Sequence, residues 1–202
     1  MAKTNKTMNL AFALMVGSAG AAYAGIPAVN SVQNVQQDET CTGIVKDATG
    51  ETYVYGIGAK GDFQKKGLKV GDVVTLTGVK DIYNGTGQMK NATLEAVKVV
   101  TKISVADFLT KKDDKNVYYM LEGTITEFAG QRNDLKTYGN FGLTDDSGSA
   151  FVYGLTAGWG GEGKKAGELG LNFGDKITII GYHTSYKNAP QVGGAFLFSK
   201  GK

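Results

Sequence analysis

The sequence predicts an all-β protein of two tandem five-stranded barrels with a short linking helix, and an internal repeat is the strongest observation behind this prediction. Residues 46–56 return as residues 144–154, and both copies end in Val-Tyr-Gly after a Gly-containing turn. Residues 67–78 return in the same way as residues 170–181. Self-similarity of this kind indicates that one supersecondary unit was copied.

Composition supports the same fold class. The chain has 30 Gly and only 2 Pro among 202 residues, and its apolar positions are rich in Val, Ile, Tyr and Phe, as expected for short strands joined by tight turns. Two copies leave roughly 100 residues per unit, enough for a small domain with its own core. The first copy has no evident first strand, so the sequence leaves the completeness of its barrel open.

The N-terminus has the pattern of a secretory signal. Residues 1–6 carry two lysines and no acid, residues 8–16 are apolar, and Ala22-Tyr-Ala24 has the small-x-small form of a cleavage site. We therefore predict a signal peptide over residues 1–24 and a periplasmic or secreted product without a membrane span after cleavage. The alternative interpretation keeps residues 9–16 as a buried first strand.

The remaining chain divides into a first unit over residues 25–101 and a second over residues 102–202. Ser104 and Asp107 have capping-box spacing and predict a helix over residues 105–109, followed by a solvated charged linker over residues 111–115. The alternation of apolar residues then predicts five strands in the second unit, over residues 116–128, 139–144, 149–156, 175–186 and 191–199.

Five strands with a connector between the third and the fourth resemble the oligonucleotide- and oligosaccharide-binding (OB) fold. More narrowly, the strings at residues 117–126, 138–155, 171–178 and 190–192 are similar to exported OB-fold domains common in Bacteroidetes. This resemblance covers nearly all of residues 103–200, and the first unit follows it from Thr40 to Val99. It implies ligand binding on the outer face of strands two and three.

The sequence offers no catalytic, metal or cofactor site. The single cysteine, Cys41, and the single histidine, His183, have no companions of the kind that a metal centre or a nucleophile needs. We expect Asp145 and Asp146 to cap a turn, with Gly148 in a backbone conformation that other residues tolerate poorly. An enzyme is therefore the least favoured class.

Candidate ligand-binding residues follow from the alternation of side chains along strand three. If Val54 and Val152 point into their barrels, the rings beside them lie on the outer face; the inverse assignment would make those rings core. Aromatic and basic residues of the loops around the face complete the set. The candidate residues are Tyr53, Tyr55, Phe151, Tyr153, Trp159, Tyr186, Lys187, Arg132 and Lys136.

These residues favour a non-catalytic binding module, with single-stranded nucleic acid as the first candidate ligand because aromatic rings stack on bases. Loss of Lys3 and Lys6 with the signal would lower the formal net charge from +3 to +1, which is small for a nucleic-acid binder. Oligosaccharide, or another surface protein bound by an adaptor, is the alternative ligand class. Burial of the strand-three rings would instead favour a structural adaptor without a cleft.

Overall fold

The protein consists of two all-β units. The computed structural model describes residues 12–13, 29–36, 42–47, 51–57, 67–158 and 167–201. The chain divides into compact units between Val97 and Lys98, and each unit has its own sheet, which confirms the predicted fold class. Within the described residues, no helix has the length and apolar character needed to span a membrane.

The strands of the first unit close a barrel. They are β1 (Phe12–Ala13), β2 (Val29–Gln36), β3 (Thr42–Lys46), β4 (Glu51–Ile57), β5 (Val73–Tyr83) and β6 (Thr86–Lys98). Strands β2 to β6 form a ring in the order β2-β3-β4-β6-β5, which closes because β5 also pairs with β2. Strand β4 runs parallel to β6. One parallel pair between the third and fifth strands is the arrangement of an OB-fold-like barrel.

The first strand of this barrel is the element that the sequence did not reveal. Strand β2 holds that place, since it pairs with β3 on one side and β5 on the other. Its sequence is mostly polar, but strand pairing is made by backbone groups and does not require an apolar pattern. Strand β1 lies outside the ring, where Phe12 pairs with Leu76. The five-stranded ring is therefore complete without residues 1–24.

The second unit repeats the same ring. Its elements are β7 (Val100–Lys102), α1 (Val105–Leu109), β8 (Tyr118–Thr126), β9 (Phe141–Asp145), β10 (Gly148–Val152), β11 (Lys176–Tyr186) and β12 (Ala189–Lys200). Strands β8 to β12 close in the order β8-β9-β10-β12-β11, and β10 runs parallel to β12. The predicted helix and all five predicted strands are present, although the third strand ends at Val152 and not at residue 156 as predicted. Strand β7, in the region joining the units, adds a short parallel pairing to β8.

The cores lie inside the rings. Val54 and Val152 are fully buried in the cores of their respective units, so the inward assignment of these two residues is correct. In the second unit, Val105 and Phe108 place one side of α1 in the core formed by the strands. Complete burial of one such apolar side chain stabilises the fold by about 1.5 to 3 kcal/mol.

Helix α1 is held at its N-terminus by two separate caps. The Ser104 hydroxyl accepts a hydrogen bond from the Asp107 amide at 3.1 Å, as the capping-box spacing predicts. The Asp145 carboxylate, from the β9–β10 turn, accepts a hydrogen bond from the Val105 amide at 2.9 Å. A helix of five residues has little stability of its own, so these contacts fix it to the barrel.

The β9–β10 turn bears out one prediction and corrects another. Asp145 accepts hydrogen bonds from the Ser147 and Gly148 amides at 2.8 and 3.0 Å, as a turn carboxylate should, whereas the exposed Asp146 side chain caps no amide of the described residues. Gly148, however, does not have a left-handed backbone conformation, and it is the first residue of β10. The expectation of an unusual backbone conformation at Gly148 is wrong, because the Asp145 side chain supplies the turn geometry.

Candidate functional site

The outer face of β10 carries one exposed ring and one buried ring. Tyr153 follows the strand and is 60% exposed, whereas Phe151 is only 4% exposed. Phe151 points away from the core as predicted, but Phe128 covers it, with ring centroids 5.7 Å apart. Phe151 is therefore the floor of a surface depression and not a free ring.

That depression is a cleft of about 630 Å³ on the second unit. It is bordered by the β8–β9 loop (residues 127–140), the outer side of β10 and the β11–β12 hairpin. Those are the elements that frame the ligand face of an OB-fold barrel. The cleft is lined by Gln131, Arg132, Tyr138, Asn140, Phe151, Tyr153, Gly154, Tyr186 and Gln191.

Three tyrosine rings give the cleft its aromatic character. Tyr138, Tyr153 and Tyr186 are all exposed, although each is a large partly apolar side chain. Such rings offer flat surfaces for stacking together with a hydroxyl for hydrogen bonding. The cleft can therefore hold a flat ligand that is polar at its edges.

Amide groups supply hydrogen-bonding capacity beside the rings. Asn140 is buried, and its Oδ1 accepts a hydrogen bond from the Gly154 amide at 2.9 Å. This contact orients the carboxamide and leaves its Nδ2 donor without a partner among the described residues. Gln191 reaches the same cleft from β12. Together, these groups can recognise carbonyl or hydroxyl oxygens.

The β8–β9 loop is held in shape by its own polar side chains. Asn133 accepts a hydrogen bond from the Phe128 amide at 2.9 Å and donates to the Phe128 carbonyl at 3.0 Å. Asp134 accepts one from the Thr137 amide at 2.9 Å. Hydrogen bonds to Thr137, with a smaller contribution from Arg132, hold the pKa of Asp134 below its usual value. This wall of the cleft is thus pre-organised.

Arg132 is the cation among the described residues that line the cleft. Its guanidinium lies 5.4 Å from the centroid of the Tyr138 ring and 3.6 Å from the Asp134 carboxylate. The side chain is exposed, so the ion pair is weak. Arg132 can therefore turn toward an anionic group of a ligand while it stays close to an aromatic surface.

The β11–β12 hairpin forms the opposite rim. Its turn residues, Lys187 and Asn188, have φ angles of 49° and 66°, as expected for a two-residue type I′ turn. The Lys187 ammonium lies 5.4 Å from the Tyr186 ring centroid. Lys187 is exposed beside the cleft without lining it.

The structure brings some of the candidate residues together and separates others. Arg132, Phe151, Tyr153 and Tyr186 share the cleft. Lys136 is exposed on the β8–β9 loop outside the lining, and Trp159 lies outside the described residues. Tyr53 and Tyr55 belong to the first unit.

The first unit carries a corresponding but different face. Tyr53 and Tyr55 are exposed on β4, next to Gln88 and Lys90 of β6. The Asp81 carboxylate accepts a hydrogen bond from Gln88 at 3.0 Å and lies 3.1 Å from the Lys90 ammonium. These groups bind each other beside the aromatic surface, whereas the amides of the second unit face a cleft.

Sequence reasoning missed Tyr138 and Asn140 as cleft residues. Both lie immediately before β9, and the corresponding positions of the first copy, Thr40 and Thr42, have neither an aromatic ring nor an amide. A position-by-position comparison of the two copies would have marked the Tyr138-Gly-Asn140 string as particular to the second unit.

The titratable residues that the sequence offered for catalysis make hydrogen bonds that hold the fold together. Loss of hydration tends to raise the pKa of Asp145, but hydrogen bonds from Ser147, Val105 and Gly148 outweigh it and keep the pKa below its usual value. His183 is buried and bound to Asp113, the hydrogen-bonded role that its place on strand four predicts. Within the described ranges, no three His, Cys, Asp or Glu residues are grouped so that they could hold a metal ion.

Comparison with known proteins does not assign this chain to a family. No family model matches the chain, and no curated protein matches it. Among solved structures, the tetrameric p202 HIN2 is 12% identical, with 86% of this chain and 92% of that chain covered and a TM-score of 0.34. The p204 HINb domain is 14% identical, with 83% and 91% covered and a TM-score of 0.32. Similarity at this level carries no argument about function. The class of protein, a tandem OB-fold-like barrel protein with an aromatic cleft on its second unit, therefore rests on strand order and cleft geometry.

Proposed function

We propose that the protein is an exported, non-catalytic binding module and that the cleft of its second unit binds single-stranded nucleic acid. The observation that carries this proposal is the grouping of Tyr138, Tyr153 and Tyr186 around one depression with Arg132 at its edge. Unpaired bases offer flat faces to such rings, and each stacked base contributes about 1 to 3 kcal/mol.

The charges around the cleft indicate how such binding would behave. Arg132, Lys136 and Lys187 are the cations on the two loops that border it. Each phosphate neutralised on a single strand contributes about −0.7 to the slope of log K against log salt. These three cations of the described residues would together give a slope of about −2. We expect binding that is dominated by stacking and only modestly sensitive to salt.

Oligosaccharide is the second candidate ligand. The aromatic and amide character of the cleft favours it, because tyrosine rings stack on sugar faces and the Asn140 and Gln191 amides can bind sugar hydroxyls. A neutral ligand of this kind would not need Arg132. Its binding would persist at high salt and would not be reduced by oligonucleotides.

One binding experiment separates these ligands. Fluorescence anisotropy of a labelled single-stranded oligonucleotide is measured over a salt series, with the same sequence as a duplex and a mixture of oligosaccharides as competitors. Preference for the single strand supports the proposal. Absence of oligonucleotide binding together with direct oligosaccharide binding would replace it with the second candidate.

The repeat supplies a matched control for the location of the site. Tyr153 and Tyr55 occupy the same position in the two copies, and both are exposed. We expect Tyr153→Ala to weaken oligonucleotide binding about tenfold or more, corresponding to the loss of one stacked base, and Tyr55→Ala to leave it unchanged. An equal effect of both substitutions would contradict assignment to the second unit.

Export is the part of the proposal that rests on residues 1–24. The completeness of the five-stranded ring from β2 onward supports it, since cleavage after Ala24 would remove only β1 from the described strands. N-terminal sequencing of the product recovered from outside the cytoplasm tests this directly. A mature N-terminus at Gly25 is expected, and an intact Met1 terminus on exported, folded protein would contradict cleavage.

A further inference from the structure

The aromatic face of the first unit carries a polar bridge that the second unit lacks. Tyr53 pairs in register with Gln88, and Tyr55 with Lys90, so that each ring lies beside one of these polar side chains. Asp81, on the neighbouring strand β5, joins the two through its carboxylate, at 3.0 Å from Gln88 Nε2 and 3.1 Å from Lys90 Nζ. One carboxylate thus engages both donors beside the rings.

The internal repeat shows what stands in the place of this bridge in the second unit. Gly78, Tyr83 and Gln88 match Gly181, Tyr186 and Gln191 with one constant spacing. By that spacing, Thr184 occupies the position of Asp81, and Gly193 occupies the position of Lys90. A carboxylate and an ammonium are therefore replaced by a hydroxyl and a glycine.

The two units therefore differ in whether the hydrogen-bond donors beside their rings are already engaged. In the second unit, Gln191 lines the cleft and no described side chain binds its carboxamide. In the first unit, the equivalent Gln88 donates to Asp81, and the charge of Lys90 is balanced by the same carboxylate. An incoming strand would have to displace these contacts before it could use either donor.

The charge of Asp81 adds a second obstacle for a polyanion. The hydrogen bonds from Gln88 and Lys90 outweigh its loss of hydration and hold the pKa of Asp81 below its usual value. The group is therefore an anion at neutral pH. Like charges brought together at an interface suppress binding of the wrong partner.

We propose that Asp81 is the residue that keeps the aromatic face of the first unit from binding single-stranded nucleic acid and so confines binding to the second unit. The inference rests on the proposed function. Beyond that function, it specifies that each chain binds one ligand and that Asp81 determines which copy binds. The rings Tyr53, Tyr55 and Tyr83 are already exposed on the first unit, so removal of the carboxylate is expected to create a site there.

The test is a gain of binding in a chain whose second cleft is disabled. In the Tyr153→Ala background, Asp81→Thr copies the residue of the second unit, and the probe is a labelled single-stranded oligonucleotide. We expect the dissociation constant to fall about tenfold, equivalent to about 1.4 kcal/mol. Addition of Tyr55→Ala should abolish the gain.

Controls exclude effects of charge and of folding. Glu95→Gln changes the net charge by the same amount on the exposed part of β6 and should produce no gain. Asp81→Asn keeps the size of the side chain, so it serves if Asp81→Thr unfolds the first unit, as judged by its melting transition. No gain in either folded Asp81 variant would overturn the inference.

The outcome for the unmodified protein separates the two proposals. One oligonucleotide bound per chain, sensitive to Tyr153→Ala alone, agrees with both. Two bound per chain, one of them sensitive to Tyr55→Ala, overturns the inference and leaves nucleic-acid binding intact. If the unmodified protein does not bind, the proposed function fails, and with it the confinement of binding to the second unit. Binding that Asp81→Thr alone creates and that depends on Tyr55 would then support the blocking role of Asp81, and its absence would overturn that role as well.

Discussion

His183 Nδ1 lies 2.8 Å from Asp113 Oδ1, which joins the fourth strand of the second barrel to the linker that follows α1. The same carboxylate accepts hydrogen bonds from the Ser185 amide and hydroxyl, both at 3.0 Å. Because an ionised carboxylate only accepts hydrogen bonds, Nδ1 carries the proton. His183 Nε2 is buried and has no partner among the described residues, so the network holds the imidazole by one side only.

Removal of Asp113 should therefore destabilise the second unit. Asp113→Ala leaves the buried His183 Nδ1 without its partner, and a buried donor without a partner costs about 1 to 3 kcal/mol. Lys112→Ala, one residue earlier at an exposed position, is the matched control and should have little effect. Urea unfolding monitored by circular dichroism gives both values. Equal midpoints for the two variants would mean that the network is not stabilising.

The contribution of Asp113 should also depend on pH. Loss of hydration tends to raise the pKa of Asp113, but hydrogen bonds from Ser185 and His183 outweigh it and lower the pKa below its usual value of 3.8. A lowered folded-state pKa means that the stabilisation is complete above the unfolded-state pKa and is lost as pH falls through the folded-state value. The difference in urea midpoint between the unmodified protein and Asp113→Ala should accordingly shrink as pH falls below the usual carboxyl pKa of 3.8 toward the folded-state pKa. A difference that grows in acid would contradict this sign.

The limits of sequence-based prediction are visible in this same network. Ser104 and Asp107 lie close in sequence and mark the start of α1, so the helix could be predicted to the residue. Asp113 lies 70 positions from its partner His183, and a charged run next to a linker has no local feature that reveals a tether. The charge run predicts a solvated linker over residues 111–115. Asp113 is exposed as predicted, yet it also binds the linker to the barrel.

The barrel and the cleft also combine features that the sequence predicts with features that it does not reveal. Alternation along β4 and β10 separated Val54 and Val152 from the rings beside them, and the burial of both valines then shows which face is inside. It could not show that Phe128, from a loop, would bury Phe151. Nor could it find β2, because the backbone pairing that makes Val29–Gln36 a strand leaves no apolar pattern in a polar sequence. Periodicity identifies which residues share a face of a strand, whereas the orientation of that face and its coverage by distant loops depend on the tertiary fold.

Asp145 gives a second prediction about stability, since it fixes both the β9–β10 turn and the start of α1. Asp145→Ala removes the acceptor for the amides of Val105, Ser147 and Gly148. A hydrogen bond to a charged group contributes about 1.5 to 3 kcal/mol when it is well shielded from water, and less at a partly exposed site such as this one. We expect a loss of about 2 kcal/mol in the free energy of unfolding. Asp146→Ala, at the exposed neighbouring position, is the control. A loss as large for Asp146→Ala would show that the turn, and not the cap, is what matters.

Gly123 tests how closely β8 and β9 approach. A Cβ built on Gly123 would lie 2.7 Å from the carbonyl oxygen and 3.0 Å from the carbonyl carbon of Thr144. These are backbone atoms of a paired strand, so they cannot move aside without loss of strand pairing. We expect Gly123→Ala to lower the free energy of unfolding by about 1 to 3 kcal/mol, the usual range for overpacking.

Gly148→Ala is the matched control for that substitution. Its Cβ would meet only the Val105 side chain, at the ordinary contact distance of 3.9 Å, and the residue is not in the left-handed region. Urea midpoints measured side by side should show Gly148→Ala close to the unmodified protein. If Gly148→Ala proves to be the more damaging change, the geometry of both positions is wrong.

The last prediction separates phosphate contact from stacking in the second-unit cleft. If Arg132 neutralises one phosphate of a bound single strand, Arg132→Ala should weaken binding and make the slope of log K against log salt less negative by about 0.7. Tyr153→Ala removes a stacking surface and no charge, so it should weaken binding without change in the slope. Anisotropy titrations of both variants over the same salt series provide the comparison. A slope that is unaltered by Arg132→Ala, together with weaker binding, would assign Arg132 to stacking beside Tyr138, where its guanidinium already lies 5.4 Å from the ring centroid.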